Sequence, residues 1–333
     1  MPVQSGHERR PRSPVHEHPA NRMTAPSIGL VGLGRMGGNM ARRLARGGIR
    51  VVGYDATPGA ASALASDGVL AAVSSLAALV EALPAPRVVW TMVPAGSATE
   101  TTIAGLASRL AAGDTIVDGG NANYKDSQRR ARELAPGGVQ FVDCGVSGGV
   151  WGLENGYALM FGGTEEGARA IEPFVRVLAP APDAGWMHCG PAGAGHFAKM
   201  IHNGIEYGMM QAYAEGFALL KGKREFDIDL ARLAETWRHG SVVRSWLLDL
   251  TAGFLARDAD LHAIAPHVAD SGEGRWTVAE AIEQGTPAPV LALALMSRFG
   301  SQGRGDYANR MLAMMRQAFG GHAVRGAGAD PKR

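Results

Sequence analysis

Ile28-Gly29-Leu30-Val31-Gly32-Leu33-Gly34-Arg35-Met36-Gly37 decides how the rest of this chain is read. A short apolar strand runs straight into G-x-G-x-x-G, and Asn39 to Arg46 then has the character of a helix. The three glycines do separate things in such a turn. Gly32 permits the tight bend, Gly34 lets a pyrophosphate approach the backbone, and Gly37 lets helix and strand pack closely. The helix N-terminus meets the phosphates with free N–H groups and a positive dipole end. Gly32, Leu33, Gly34, Arg35, Met36 and Gly37 are therefore candidate cofactor contacts. The next strand, Arg50-Val51-Val52-Gly53-Tyr54, ends on Asp55. An acid about twenty residues beyond the turn accepts hydrogen bonds from the adenosine ribose and repels a 2′-phosphate. Ala56 follows, where an NADP-binding chain often carries arginine, so the expected cofactor is NAD. The competing reading of Asp55 is a plain turn residue before Thr57-Pro58-Gly59.

Working outward, the pattern keeps alternating. Val69–Val73 is weakly strand-like, Leu76–Leu83 helical, Val88–Met92 a buried strand, Thr99–Leu110 a helix and Thr115–Asp118 a strand. Phe141–Asp143, Tyr157–Phe161 and Trp186–His188 add strands, with a helix over Glu165–Leu178. Loops follow three of the strands: Val93, Pro94 and Ala95; then Gly119-Gly120-Asn121; then Gly145-Val146-Ser147-Gly148-Gly149. All lie at carboxyl ends, where ligands of open α/β sheets bind. Past Gly195 the strand signals stop. Helices are expected from His196 to about Leu220 and over 228–237, 243–254, 277–283, 290–299 and 307–319. The predicted fold class is an α/β, Rossmann-like dinucleotide-binding domain at residues 25–194, followed by an all-α C-terminal domain at 195–323. Residues 1–24, polar and broken by Pro2, Pro11, Pro14 and Pro19, read as a disordered extension. Residues 324–333 read as a flexible tail.

The totals fit that division. A chain of 333 residues suggests two domains, and 46% hydrophobic with 19% charged residues is ordinary globular composition. A net charge of +2 argues against a nucleic-acid partner. Cys144 and Cys189 form no CxxC pair, so neither a metal site nor a disulfide framework is expected, and a reduced, cytoplasmic setting fits. No apolar run reaches the length of a membrane span.

The chemistry is concentrated in Gly195-His196-Phe197-Ala198-Lys199-Met200-Ile201-His202-Asn203-Gly204-Ile205-Glu206-Tyr207. Lys199, His202, Asn203 and Glu206 stand at i, i+3, i+4 and i+7, an arc of roughly 100° on one helix face. Phe197, Met200, Ile201 and Ile205 occupy the rest of the circumference. A solvated helix carrying a Lys/Glu pair is the plain alternative. An amine, an imidazole, an amide and a carboxylate on one stripe also make an acid–base set.

These pieces together resemble the 6-phosphogluconate dehydrogenase family, the decarboxylating branch of the β-hydroxyacid dehydrogenases. The carriers are the 32–37 turn, Asp118-Gly119-Gly120-Asn121, Gly145–Gly149, the 195–207 helix, Ser271-Gly272-Glu273-Gly274-Arg275-Trp276-Thr277, and Arg316-Gln317-Ala318-Phe319-Gly320-Gly321-His322. The length resembles the family's short branch, which supports NAD. The resemblance implies Lys199 as general base and Glu206 as general acid, without a metal, in the pentose phosphate pathway and gluconate utilisation. It implies substrate contacts from Asn121, Ser147, Gly148, Gly149, His202, Asn203, Tyr207, Arg275 and Thr277. Asn121 would also touch the cofactor. Arg316 and His322 would come from the second subunit of a homodimer or higher oligomer. Arg275 replaces the lysine of many relatives but keeps a phosphate-gripping charge; a further phosphate arginine is Arg298 or Arg304. The alternatives are a 3-hydroxyisobutyrate-type dehydrogenase acting on an unphosphorylated acid, or a non-catalytic NAD sensor.

Overall fold

The computed structural model describes residues 25–57, 59–321 and 323–324. The expectations for residues 1–24, for His322 and for the tail beyond 324 lie outside the described residues. The strands are β1 (Ser27–Val31), β2 (Arg50–Tyr54), β3 (Ala71–Ala72), β4 (Val88–Thr91), β5 (Thr115–Asp118), β6 (Gln140–Ser147), β7 (Ala158–Gly162) and β8 (Trp186–Gly190). Among them lie helices α1 (Arg35–Arg46), α2 (Ala60–Ser66), α3 (Leu76–Glu81), α4 (Ser97–Ala107), α5 (Tyr124–Leu134), α6 (Gly152–Asn155) and α7 (Glu165–Leu178). After β8 come α8 (Ala194–Gly222), α9 (Leu230–Arg238), α10 (Trp246–Leu255), α11 (Glu273–Gln284), α12 (Pro289–Ser301) and α13 (Asp306–Gly320).

The strands make one sheet in the order β3-β2-β1-β4-β5-β6-β7-β8. The first six are parallel, β7 runs antiparallel to β6, and β8 is parallel to β7. The order reverses between β1 and β4, which places the ligand-binding crevice of a doubly wound sheet at their carboxyl ends. Alternation along the strands sends neighbours to opposite faces. Trp90, Val117 and Val142 join Met40, Leu44 and Phe174 in one core. Val89, Ile116 and Phe141 join Leu79, Ile103 and Leu106 in the other.

Several elements differ from the sequence expectations. Helix α1 begins at Arg35, immediately after the turn, rather than at Asn39, and α11 begins at Glu273 rather than at Thr277. Helices α2, α5 and the short α6 were not expected. In α5 the buried positions include Ser127 and Arg130, so its inward face carries no apolar stripe.

Strand signals do stop where expected: β8 ends at Gly190 and α8 begins at Ala194. At 29 residues, α8 spans about 43 Å. Its first turn is fastened to the sheet by Asp143 of β6, whose Oδ1 accepts from Gly193 N at 2.6 Å and Oδ2 from His196 N at 2.7 Å. A Cβ on Gly195 would lie 2.5 Å from the Asp143 carbonyl oxygen and 2.6 Å from that of Met160. The helix axis can therefore come down onto β6 and β7. Its far end packs with α9 and α10 around Leu230, Ala234, Leu248 and Leu255, and its middle packs through Tyr207 on Ala294 and Leu295 of α12. Two side-chain links tie α5 to α11: Tyr124 OH donates to Glu280 at 2.6 Å, and Lys125 pairs with Glu283 at 2.7 Å. No described helix is long and apolar enough to cross a membrane.

Candidate active site

The glycine turn after β1 has the shape a dinucleotide pyrophosphate requires. Gly32 has φ of 89°, and a Cβ there would sit 2.5 Å from the Met92 carbonyl oxygen. A Cβ on Gly37 would overlap the Gly32 carbonyl oxygen. At Gly34 nothing lies within 4 Å of that position, which leaves the opening above the start of α1 clear. Arg35 is exposed at the helix N-terminus, while Leu33 is buried and Met36 half-buried. Asp55 holds the turn from outside: Oδ2 accepts from Leu33 N at 2.5 Å and Oδ1 from Thr57 N at 2.6 Å. The turn-residue reading thus describes one carboxylate oxygen. Each oxygen keeps a second lone pair for a ribose hydroxyl.

Because β1, β4, β5 and β6 are consecutive in the sheet, their carboxyl-end loops line one edge. The Val93–Ala95 loop lies beside the glycine turn, with Pro94 and Ala95 exposed and the Pro94 carbonyl accepting from Thr99 Oγ1 at 2.8 Å. Gly120 approaches Val93 so closely that a Cβ would lie 2.7 Å from its carbonyl oxygen. Asp118 supports this loop from beneath, accepting from Gly120 N at 3.2 Å and from buried Arg130 at 2.9 Å. Asn121 is exposed at its tip. Strand β6 ends on Ser147, and the loop after it presents Gly148 and Gly149 at φ of 136° and 53°.

Helix α8 brings its polar face to the end of that row. A Cβ on Gly145 would overlap the Lys199 Cβ, so the glycine of β6 is what admits the lysine stem. Lys199 is 8% exposed. Its Nζ donates to Asn203 Oδ1 at 2.7 Å and lies 3.5 Å from His202 Nδ1. His202 Nδ1 is 2.9 Å from the same Asn203 oxygen, and its Nε2 is 3.4 Å from Ser147 Oγ. Glu206 Oε2 lies 4.0 Å from His202 Nδ1. Lys199, His202, Asn203, Glu206 and Ser147 therefore form one constellation. Burial pushes the Lys199 ammonium below its ordinary range, against the opposing pull of Glu206 and Glu273.

Helix α11 closes the other side. Asn203 Nδ2 donates to Glu273 Oε1 at 3.2 Å, and Glu273 is 3% exposed. Sequence reasoning passed over this residue; its place inside a glycine-flanked motif was the available signal. Tyr207 is buried, with its hydroxyl 3.4 Å from both Asp270 Oδ1 and Ser271 Oγ. A Cβ on Gly274 would overlap the Tyr207 ring, which accounts for that glycine. The Arg275 guanidinium is half-exposed, pairs with Asp270 and lies 4.6 Å from the Phe299 ring centre. Burial raises the Asp270 carboxyl, but the hydrogen bonds from Arg275 and Gly272 outweigh it and hold the group below the usual carboxylate range. Arg298 lies 3.4 Å from the centre of the Tyr207 ring and Arg304 5.4 Å from that of Phe299.

Thr277 is buried between α8 and α11, its Oγ1 directed at the carbonyls of Met200 at 3.0 Å and Glu273 at 2.9 Å. A Cβ on Gly204 would meet it at 2.6 Å. The hydroxyl thereby joins α8 to α11. Arg316 is exposed on α13, a helix that buries no described side chain.

A phosphate-cradling turn at the topological switch point, opening toward a buried lysine on a neighbouring helix, defines a dinucleotide-dependent dehydrogenase. Residues 27–189 match the NAD binding domain of 6-phosphogluconate dehydrogenase, and residues 195–325 match the 6-phosphogluconate dehydrogenase C-terminal domain. The chain belongs to the 6-phosphogluconate dehydrogenase family. It is 41% identical over 298 residues to the NAD(+)-dependent, decarboxylating 6-phosphogluconate dehydrogenase of Haloferax volcanii, covering 89% of this chain and 98% of that one. It is 40% identical over 297 residues to the Bacillus subtilis protein YqeC, with the same coverages. Among solved structures, the 6-phosphogluconate dehydrogenase of Plasmodium falciparum superposes with a TM-score of 0.77 at 28% identity, covering 92% of this chain and 67% of that one. The chain is an NAD-using oxidoreductase of this family.

Proposed function

We propose that the chain converts 6-phosphogluconate to ribulose 5-phosphate and carbon dioxide with reduction of NAD, as a step of the pentose phosphate pathway. One observation carries this reading: the amine of Lys199 is nearly shut off from water and held by Asn203, with Glu206 two turns along the same face. NAD, held by the 32–37 turn, Asp55, the Val93–Ala95 loop and Asn121, supplies the hydride acceptor for carbon 3.

Lys199 removes the proton of the carbon 3 hydroxyl. Its burial favours the neutral amine needed for that, and donating an N–H to Asn203 leaves the amine's lone pair free to accept the proton. Once carbon 3 is a ketone, the Lys199 ammonium donates to its oxygen. Electron density from the breaking bond between carbons 1 and 2 flows toward that oxygen as carbon dioxide leaves. Glu206, in its protonated form, then delivers a proton to carbon 2 while Lys199 takes back the proton from the carbon 3 oxygen, and the ketose is complete. Ser147, Gly148, Gly149, His202 and Asn203 hold the carboxylate and hydroxyls. Arg275, Tyr207 and Arg298 take the phosphate, Arg298 being preferred to Arg304 because it covers Tyr207 directly. Arg316 and His322 reach the site from the second copy in a homodimer.

Initial rates with 6-phosphogluconate and with 3-hydroxyisobutyrate test the substrate class. The proposal expects efficient turnover only with the phosphorylated acid. Preferential oxidation of 3-hydroxyisobutyrate overturns it.

A further inference from the structure

Glu273 is a carboxylate that packing alone does not explain. It sits in the first turn of α11, is 3% exposed, and its Oε2 is buried without a hydrogen-bond partner. A buried acceptor left unsatisfied lowers stability rather than raising it. A carboxylate in the first turn gains some support from the helix dipole, which lessens that penalty without removing it. Its one hydrogen bond goes to a residue of the acid–base cluster, Asn203 Nδ2 at 3.2 Å.

That bond decides how the cluster is wired. A carboxylate oxygen accepts from the Asn203 amide nitrogen, so the amide must present its Oδ1 to the opposite side. There Oδ1 meets Lys199 Nζ at 2.7 Å and His202 Nδ1 at 2.9 Å. An amide oxygen only accepts, so His202 carries its proton on Nδ1, and Nε2 is left as the acceptor facing Ser147 at 3.4 Å. With the amide turned round, its NH2 would face the amine and the imidazole, which could then pair with it only by accepting: Lys199 through the lone pair its role as base requires, His202 by moving its proton from Nδ1 to Nε2.

We propose that Glu273 is a positioning residue, locking the Asn203 amide so that Lys199 and His202 hold their protons in the arrangement the reaction needs. This rests on Lys199 being the base. The charged groups facing Lys199 are Glu206 on its own helix and Glu273 on α11. Beside it are the imidazole of His202, whose far nitrogen faces the Ser147 hydroxyl, and the uncharged Gly145 of β6.

The test is E273Q, which keeps the side chain's size, compared with the unsubstituted protein in the pH dependence of kcat/KM. Losing a carboxylate that favours the ammonium should move the acid limb toward lower pH by about 0.5–1 unit. Ambiguous orientation of the amide should lower kcat by about tenfold with NAD affinity unchanged. If E273Q is too slow to profile, the pH dependence of Lys199 carbamylation by cyanate reads the same amine without turnover. A double-mutant cycle with Asn203→Ala should be strongly non-additive. An unmoved limb or carbamylation profile, or additive effects, overturns the positioning role and leaves the Lys199 assignment standing. NADH formation surviving in Lys199→Met overturns the base assignment and the positioning role with it.

Discussion

Lys199 is an amine whose surroundings disfavour its charge, and that is the property a base at neutral pH must have. Replacing it by Met keeps the stem that Gly145 accommodates and removes the nitrogen. Lys199→Met should lower turnover by about 10²–10⁴-fold while NAD still binds, as rates and fluorescence titration would report. The same group fixes a pH dependence. Its folded-state pKa is depressed, so over the interval below the ordinary lysine range the unfolded chain holds the proton more firmly. Conformational stability should therefore rise with pH through that interval, and urea unfolding at several pH values should find the rise reduced in Lys199→Met. At this scale the sequence was most informative. The i, i+3, i+4, i+7 spacing brought Lys199, His202, Asn203 and Glu206 together. Glu273 was passed over because its carboxylate turns inward to Asn203, and rotamers are not written in spacing.

At the scale of elements, the strand–turn–helix unit carries the cofactor. Gly37→Ala places a methyl against the Gly32 carbonyl oxygen, forcing α1 away from β1. The expected loss is about 1–3 kcal/mol of stability, together with weaker NAD binding, measurable by thermal unfolding and titration. Asp55 has a different consequence: combining Asp55→Ala with Ala56→Arg should move the kcat/KM ratio toward NADP. Unchanged selectivity would remove the ribose assignment. The glycine turn and the strands were legible because each has a strict local pattern. Helix α5 was not, because Ser127 and Arg130 are buried against His196 and Asp118, partners remote in sequence. Asp143 was read only as a strand residue. Its role in fastening α8 depends on Gly193 and His196, fifty and more residues on.

For the whole molecule, α13 is the informative element. Tyr307, Met311, Leu312, Met314 and Met315 are exposed along it, and Arg316 shares that helix. Such a face gains by being covered, and the proposed dimer covers it while carrying Arg316 into the second copy's site. Mixing inactive Lys199→Met and Arg316→Ala chains in equal amounts through unfolding and refolding should restore up to about one quarter of normal activity, since half of the dimers are hybrids and each hybrid regains one of its two sites. No recovery would place Arg316 outside its neighbour's site. If one helix face of this chain drives both oxidation and loss of carbon dioxide in a single active site, the two products must form together from 6-phosphogluconate and NAD. Measured side by side, carbon dioxide and NADH should appear in equal amounts, both lost in Lys199→Met. NADH without carbon dioxide, or neither product from the unsubstituted protein, would contradict that single-site chemistry.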